Sequence, residues 1–312
     1  MSPQNRRRAY FLLAPVAPVC FAGWLLYQAV GGSGDDGGHS DAKPQSEAGQ
    51  SSSALSSPPA THSSGAKAKP SHRKPSSHPP RKTPQSAKKP LAGKVIVLDP
   101  GHNPTNRLHA SQINRLVNIG TGSKPCDTTG TSTNAGYSEA SYTLDVARRA
   151  RKLLQAQGAT VKFTQDGDRP YGPCVDERAA IGNRAHADAA VSIHADGAAA
   201  GDRGFHVILP SSVHAGAADT RAIAAPSKRL GLSLKSRFAA DTSTSPSNYT
   251  GGGTGFTVRG DLGGLNLSKV PKVFIECGNM RDARDAARLS DAGWRQRAAH
   301  GIADGIAGFL RS

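Results

Sequence analysis

Three short apolar runs in this chain each end on a side chain able to do metal or proton chemistry. Val95-Ile96-Val97-Leu98 leads into Asp99-Pro100-Gly101-His102, Val191-Ser192-Ile193 into His194, and Val273-Phe274-Ile275 into Glu276. Two neutral imidazoles and one carboxylate make a recurrent catalytic zinc set with a fourth position left for water. Zinc polarises carbonyls and lowers the pKa of such a water to about 7, so hydrolysis is the chemistry suggested. Glu139 can supply the carboxylate: it opens an amphipathic segment 37 residues after His102 and 55 before His194. No HExxH-type spacing is present, so the fold must bring these residues together.

The elements that would do so are legible as patterns. Short apolar runs bounded by Gly, Pro and Asp read as buried strands at 95–98, 159–165, 188–196, 204–210 and 272–276. Between them, "YSEASYTLDVARRARKLLQAQG" spaces its apolar residues as an amphipathic helix and stops at Gly158. "VDERAAIGNRAHA" carries acids in its first turn, 217–240 is mostly helical in character, and the last thirty residues read as a broken helix. Such alternation predicts an α/β fold: a mainly parallel central sheet with helices on both faces. Functional groups in these folds lie beyond the carboxyl ends of the strands, where all three runs would meet in one cleft. A strand end is also a rigid mount, which a metal ligand needs. Residues 105–136, rich in Thr, Gly, Ser and Asn, read as a loop or lid, and Asp99 as a turn former or a partner that orients the His102 loop.

The first ninety residues have a different character. Residues 9–30 are apolar and uncharged, and as a helix would span roughly 30 Å, the thickness of a bilayer core. Arg6, Arg7 and Arg8 precede them and Asp35, Asp36 and Asp41 follow, so residues 1–8 are expected in the cytoplasm and the rest outside. The segment is long for a signal peptide and reads as an uncleaved anchor, with secretion the outcome if it is cleaved. Cys20 follows Val19, not the small residue of a lipoprotein site, and reads as a membrane-helix cysteine. Residues 31–92 are rich in Pro, Ser and Lys and poor in large apolar side chains, a linker that cannot bury a core. The folded domain is expected at 93–312.

The net charge of +16 is spread along the chain; residues 93–312 carry 27 basic against 19 acidic side chains. Nucleic acid is the usual partner for such a balance, but an exported chain meets anionic wall polymers first, and the basic linker could hold them. Cys126 and Cys174 lie in Gly/Pro/Asp-rich loops of an exported domain, which permits a disulfide. Cys277 follows an apolar run and reads as a small buried residue. His109, His186 and His206 fit no ligand slot and read as loop or solvated residues.

"VIVLDPGH", "YSEASYTLDVARRARKLL", "DERAAIGNRAHADAAVSIHAD", "GFHV" and "VPKVFIECGNMRD" resemble, in order, the motifs of zinc-dependent N-acetylmuramoyl-L-alanine amidases of the Amidase_3 type. The likeness extends from residue 94 to 311. It implies one zinc per domain held by His102, Glu139 and His194, with Glu276 as general base. It also implies cleavage between the lactyl group of N-acetylmuramic acid and L-alanine, in peptidoglycan or released muropeptides. Arg259, Asp261, Leu262 and Asn266, in "VRGDLGGLNL", are candidates for the peptide side of the cleft. Two departures stand out: Asn103-Pro104 replace the usual Gly-Gly after the histidine, and 105–136 is longer than in compact members. The rival classes are a non-catalytic wall-binding module of the same fold and a zinc peptidase cutting within stem peptides. A degenerate module would be expected to lose at least one of the four site residues, and the products separate a peptidase from an amidase.

Overall fold

The structure, a computed structural model, describes residues 89–312. The expected membrane segment 9–30 and nearly all of the linker lie outside the described residues, among which no helix is long and apolar enough to cross a membrane. The strands are β1 (Val95–Pro100), β2 (Leu116–Asn118), β3 (Ser123–Pro125), β4 (Thr160–Phe163), β5 (Ala189–Asp196), β6 (His206–Pro210), β7 (His214–Ala215), β8 (Ala218–Asp219), β9 (Phe256–Arg259) and β10 (Lys272–Asn279). The α-helices are α1 (Ala110–Ile113), α2 (Glu139–Ala156), α3 (Val175–Arg184), α4 (Arg221–Thr242), α5 (Gly263–Asn266), α6 (Ala283–Ser290) and α7 (Ala292–Arg311).

Six strands form the central sheet in the order β4-β1-β5-β10-β6-β9. The first four run parallel, whereas β6 is antiparallel to β10 and β9 is parallel to β6. The sheet is therefore mainly parallel, as expected. Strand β9 was not anticipated, because Phe256–Arg259 is short and bounded by glycines. The 105–136 segment is also more than a loop: it holds α1 and the β2–β3 hairpin.

Side chains alternate across a strand, and the alternation divides this sheet by chemistry. Ile96 and Leu98, Val191 and Ile193, and Val273 and Ile275 enter the main core with Val146, Leu154, Leu230, Leu234, Trp294 and Ile302 from α2, α4 and α7. Residues of the other parity, Asp99, Ser192, His194, Lys272, Phe274 and Glu276, therefore point to the opposite side, where α3 and a smaller cluster of Val97, Ala187, Ala190 and Val270 lie. Helices thus cover both faces. Gly301 and Gly305 let α7 approach α4 closely: a Cβ at either would stand 2.8 or 2.6 Å from the Cα of Phe238 or Leu234. The expected break in the last helix falls at Asp291, whose carboxylate accepts the Trp294 N–H at 2.6 Å and starts α7.

Candidate metal centre

Because β1, β5 and β10 are parallel neighbours, their carboxyl ends share one edge of the sheet. Glu276 pairs in register with His194, and Pro100 with Ile193, so His102 lies just past that edge. Glu139 reaches the same place as the first residue of α2, whose start is capped by Ser138 accepting from the Ser141 N–H. A carboxylate in a first helical turn also faces the positive end of the helix dipole.

One donor atom from each of His102, Glu139 and His194 lies within 4.8 Å of the others. Glu139 Oε1 is 3.1 Å from His102 Nε2 and 2.9 Å from His194 Nδ1, and it accepts the Ala195 N–H at 3.2 Å. Its Oε2 accepts the Thr131 N–H at 3.0 Å. His102 Nδ1 faces the Thr128 carbonyl oxygen at 3.1 Å, an acceptor only, which assigns the ring proton to Nδ1. In the neutral ring, Nε2 then directs a bare lone pair at a carboxylate oxygen. Two acceptors at 3.1 Å need a cation between or beside them, or a second proton on the ring. The trio fits a metal on this ground, and its two nitrogens and one oxygen suit zinc.

The backbone is shaped around the trio. His102 takes a left-handed conformation, φ 61°, which costs a non-glycine residue about 1–2 kcal/mol. It is held there through its carbonyl oxygen, which accepts from Gln165 Nε2 at 2.9 Å and Arg178 at 3.2 Å. Gly130, φ 74°, closes one side: a Cβ there would lie 2.7 Å from the His102 ring and 2.9 Å from Glu139 Oε2. A Cβ at Gly101 would meet the His194 ring at 2.3 Å. On its own strand face, His194 stacks on Phe274, centroids 5.2 Å apart and planes 5° from parallel.

Electrostatics follow from burial and neighbours. At His102 burial opposes the imidazolium, yet the Glu139 and Asp127 carboxylates outweigh it and raise the pKa well above the usual value. Burial alone would raise Glu139, but His102 and His194 hold it far below the ordinary carboxylate range. Glu276 goes the other way: burial first, then the Asp196 and Glu139 charges, push its carboxyl well above that range. Among the described residues its Oε2 is buried without a hydrogen-bond partner.

A wholly buried ion network, absent from the sequence reading, backs the centre. Asp99 accepts from Arg178 at 2.8 Å, Lys272 at 3.0 Å, Thr164 at 2.7 Å and Ser192. Arg178 also donates to the carbonyl oxygens of Pro100 and Pro173 and to Asp127 Oδ2, whose other oxygen is 3.5 Å from His102 Nδ1. Asp99 is therefore more than a turn former; its side chain anchors the end of β1. The signal for Lys272 and Arg178 was a charge on an alternating strand and on a short helix whose other inward residues are small.

Cys126 and Cys174 form a disulfide, which ties the hairpin segment to the start of α3 one residue before Asp127. Cys277, inside β10, is buried and forms no disulfide among the described residues. His109 and His186 are outside the trio. His206 is neither loop nor solvated: it is buried at the start of β6, opposite Glu276, and burial lowers its pKa. Arg259 forms a two-point ion pair with Asp261 at 2.8 and 2.6 Å, and Lys124 of β3 joins at 3.3 Å. Asn266 differs from expectation: it is wholly buried, its amide donating to Thr121 Oγ1 and the Gly260 oxygen at 2.9 Å and to the Ile119 oxygen at 3.3 Å. It fastens the hairpin to the rim and does not face the cleft.

An α/β domain that gathers a His–Glu–His trio and a partnerless carboxylate at one sheet edge has the makings of a metal-assisted hydrolase. The chain belongs to the N-acetylmuramoyl-L-alanine amidase family, whose model matches residues 96–308. It is 39% identical over 222 residues to the N-acetylmuramoyl-L-alanine amidase Rv3717 of Mycobacterium tuberculosis, covering 70% of this chain and 88% of that protein. The crystal structure of the amidase Ami1 from Mycobacterium smegmatis superposes with a TM-score of 0.64 at 40% identity, covering 70% of this chain and 98% of that one. Apo Ami1 from Mycobacterium abscessus does so at 0.64 and 38%, with 70% and 100% covered. The resemblance read from the motifs is borne out, and with it the amidase class of enzyme.

Proposed function

We propose that the domain is a zinc-dependent amidase that hydrolyses the bond between the lactyl group of N-acetylmuramic acid and L-alanine in peptidoglycan or its fragments. The observation that carries this is the convergence of His102, Glu139 and His194 on one point, with Glu276 on the adjoining strand in register with His194. His102 through Nε2, His194 through Nδ1 and Glu139 through Oε1 would hold one zinc. Bound there, zinc supplies a Lewis acid for the amide carbonyl and for water.

Glu276 is the general base and then the acid: its carboxylate takes a proton from the attacking water and returns it to the leaving L-alanine nitrogen. A carboxyl whose pKa burial and neighbouring acids raise is suited to both halves of that task. Arg259 and Asp261, half-exposed on the rim, line the peptide side of the cleft. Export supports the same reading, because peptidoglycan lies outside the cytoplasm. We assign residues 1–8 to the cytoplasm, 9–30 to an anchor, 31–92 to a linker and 93–312 to the catalytic domain. A linker of 62 residues averages about 45 Å as a flexible coil, enough to carry the domain off the membrane.

The test is mass spectrometry of muropeptides treated with the full-length protein, with and without chelator, beside Glu276→Gln. Free glycan and intact peptide are expected from the untreated wild type alone. Shortened peptides would assign a peptidase, and cleavage that survives both chelation and the substitution would remove the mechanism.

A further inference from the structure

The two imidazoles of the trio are held in place by unequal means. His102 Nδ1 faces the Thr128 carbonyl oxygen at 3.1 Å, so a hydrogen bond from the far side of the ring fixes its plane. His194 turns Nδ1 to Glu139 Oε1 at 2.9 Å, and its Nε2 has no hydrogen-bond partner among the described residues. A ligating histidine ordinarily has its second nitrogen tied to an acceptor, which orients the ring. The need for orientation is real, because the torsion that turns an imidazole about Cβ–Cγ is broad and does not set the plane by itself. Nδ1 lies off that axis and swings as the ring turns, whereas a metal ligand must be held to within about 0.5 Å.

Packing supplies what the missing bond does not. Strand β5 runs between β1 and β10, so the His194 ring is approached from two flanks. From the β10 side Phe274 stacks on it, centroids 5.2 Å apart and planes 5° from parallel. From the β1 side comes the backbone of Gly101. A Cβ there would stand 2.3 Å from Cε1, 2.5 Å from Nδ1 and 2.6 Å from Nε2, nearly equal distances that put it over the face of the ring and not at its edge. Phe274 is itself held. Helix α5 packs on its rim, where a Cβ at Gly264 would be 3.0 Å from Cζ, and the Lys272 ammonium, bonded to Asp99, lies 5.5 Å from its centroid.

We propose that Phe274 is the positioning residue of the His194 imidazole. With Gly101 it forms a slot that sets the ring plane by stacking, where His102 is set by a hydrogen bond, and so keeps Nδ1 aimed at the metal. The inference rests on the zinc reading of the trio. It assigns Phe274 a task that an aliphatic side chain of similar volume cannot perform, since only a flat face selects one ring plane.

Two readouts on the full-length protein test this without recourse to activity: zinc affinity by chelator competition, and the visible absorption of the cobalt(II) form, which reports the geometry around the metal. Phe274→Leu keeps an apolar side chain but loses the flat face. It is expected to weaken zinc binding by about tenfold and to change the cobalt spectrum. Gly101→Ala, which drives a methyl group into the other face of the ring, should do the same from the opposite flank. Val273→Ala, a truncation on the core face of the same strand, should lower the urea midpoint and leave both readouts as in the wild type. Unchanged zinc affinity and cobalt spectrum in Phe274→Leu would overturn the proposal. So would an equal loss in Val273→Ala, because general packing of β10 would then account for the effect. A wild type that takes up no zinc overturns the reading of the trio instead.

Discussion

Arg178 and Asp99 meet at 2.8 Å with both side chains almost wholly buried, and this pair fastens the end of the His102 strand to α3. Removing one partner of a buried ion pair leaves a charge without compensation and costs about 3–5 kcal/mol. Asp99→Ala would strand Lys272 and leave Arg178 with Asp127 as its one carboxylate partner, so a loss within that range is expected in urea unfolding.

The same carboxylate sets an acid limit. Burial alone would raise the Asp99 pKa, but Lys272 and Arg178 depress it far below its unfolded value. A depressed carboxylate contributes stability that is complete above its unfolded pKa, about 4, and is lost as pH falls towards the folded one. Unfolding free energy should therefore decline below about pH 4 in the wild type. Measured against pH, Asp99→Asn should show a shallower decline; an identical profile would contradict the assignment.

Glu276 and the trio should separate cleanly by metal content. Elemental analysis of the purified protein is expected to find one zinc per chain, and well below one in His102→Ala, His194→Ala or Glu139→Ala. Glu276→Gln should keep its zinc and lose activity by about two to four orders of magnitude, the range for a general acid–base group. Loss of zinc from Glu276→Gln would make it a ligand.

How much of this was legible depends on the kind of contact. Strand-end positions of His102, His194 and Glu276 followed from short apolar runs, because a parallel sheet fixes which ends coincide. Alternation in "KVFIE" also separates Lys272, Phe274 and Glu276 from Val273 and Ile275, so the polar face was written there. Its depth was not: whether a strand lysine is solvated or buried depends on an acid 173 residues away, Asp99. Asn266 misled for the same reason, since its burial is created by the hairpin at 116–125 packing over it. Long-range docking of an irregular segment leaves no period to read.

Zinc affinity should weaken as pH falls. The ligand imidazole must be neutral, and in the metal-free protein Glu139 and Asp127 overcome burial to raise the His102 pKa. A raised pKa keeps the ring protonated to higher pH, so protons compete with zinc until pH rises through that value. Chelator-competition titrations between about pH 6 and 8 should show affinity rising with pH by up to tenfold per unit for each proton displaced. Asp127→Asn removes one of the stabilising charges and should shift the curve to lower pH. A titration flat across that window would contradict the role given to His102.

The disulfide joins stability to the candidate metal centre. Cys126 and Cys174 are 48 residues apart, for which loop-closure entropy gives an upper value of about 4 kcal/mol, and measured losses for native bridges run to about 2–5 kcal/mol. C126A/C174A should fall in that range. A second effect is specific to this bridge: Asp127 and Thr128, the partners of His102 Nδ1, follow Cys126 directly, so freeing the segment loosens what orients the ring. Zinc affinity should drop by about 10–100-fold, as for other lost partners of a ligating histidine. Leu154→Ala, a core truncation expected to cost about 2–5 kcal/mol, is the matched control. If the bridge orients the centre, C126A/C174A weakens zinc binding and Leu154→Ala does not; equal affinities in the two variants would leave the disulfide a purely structural tie.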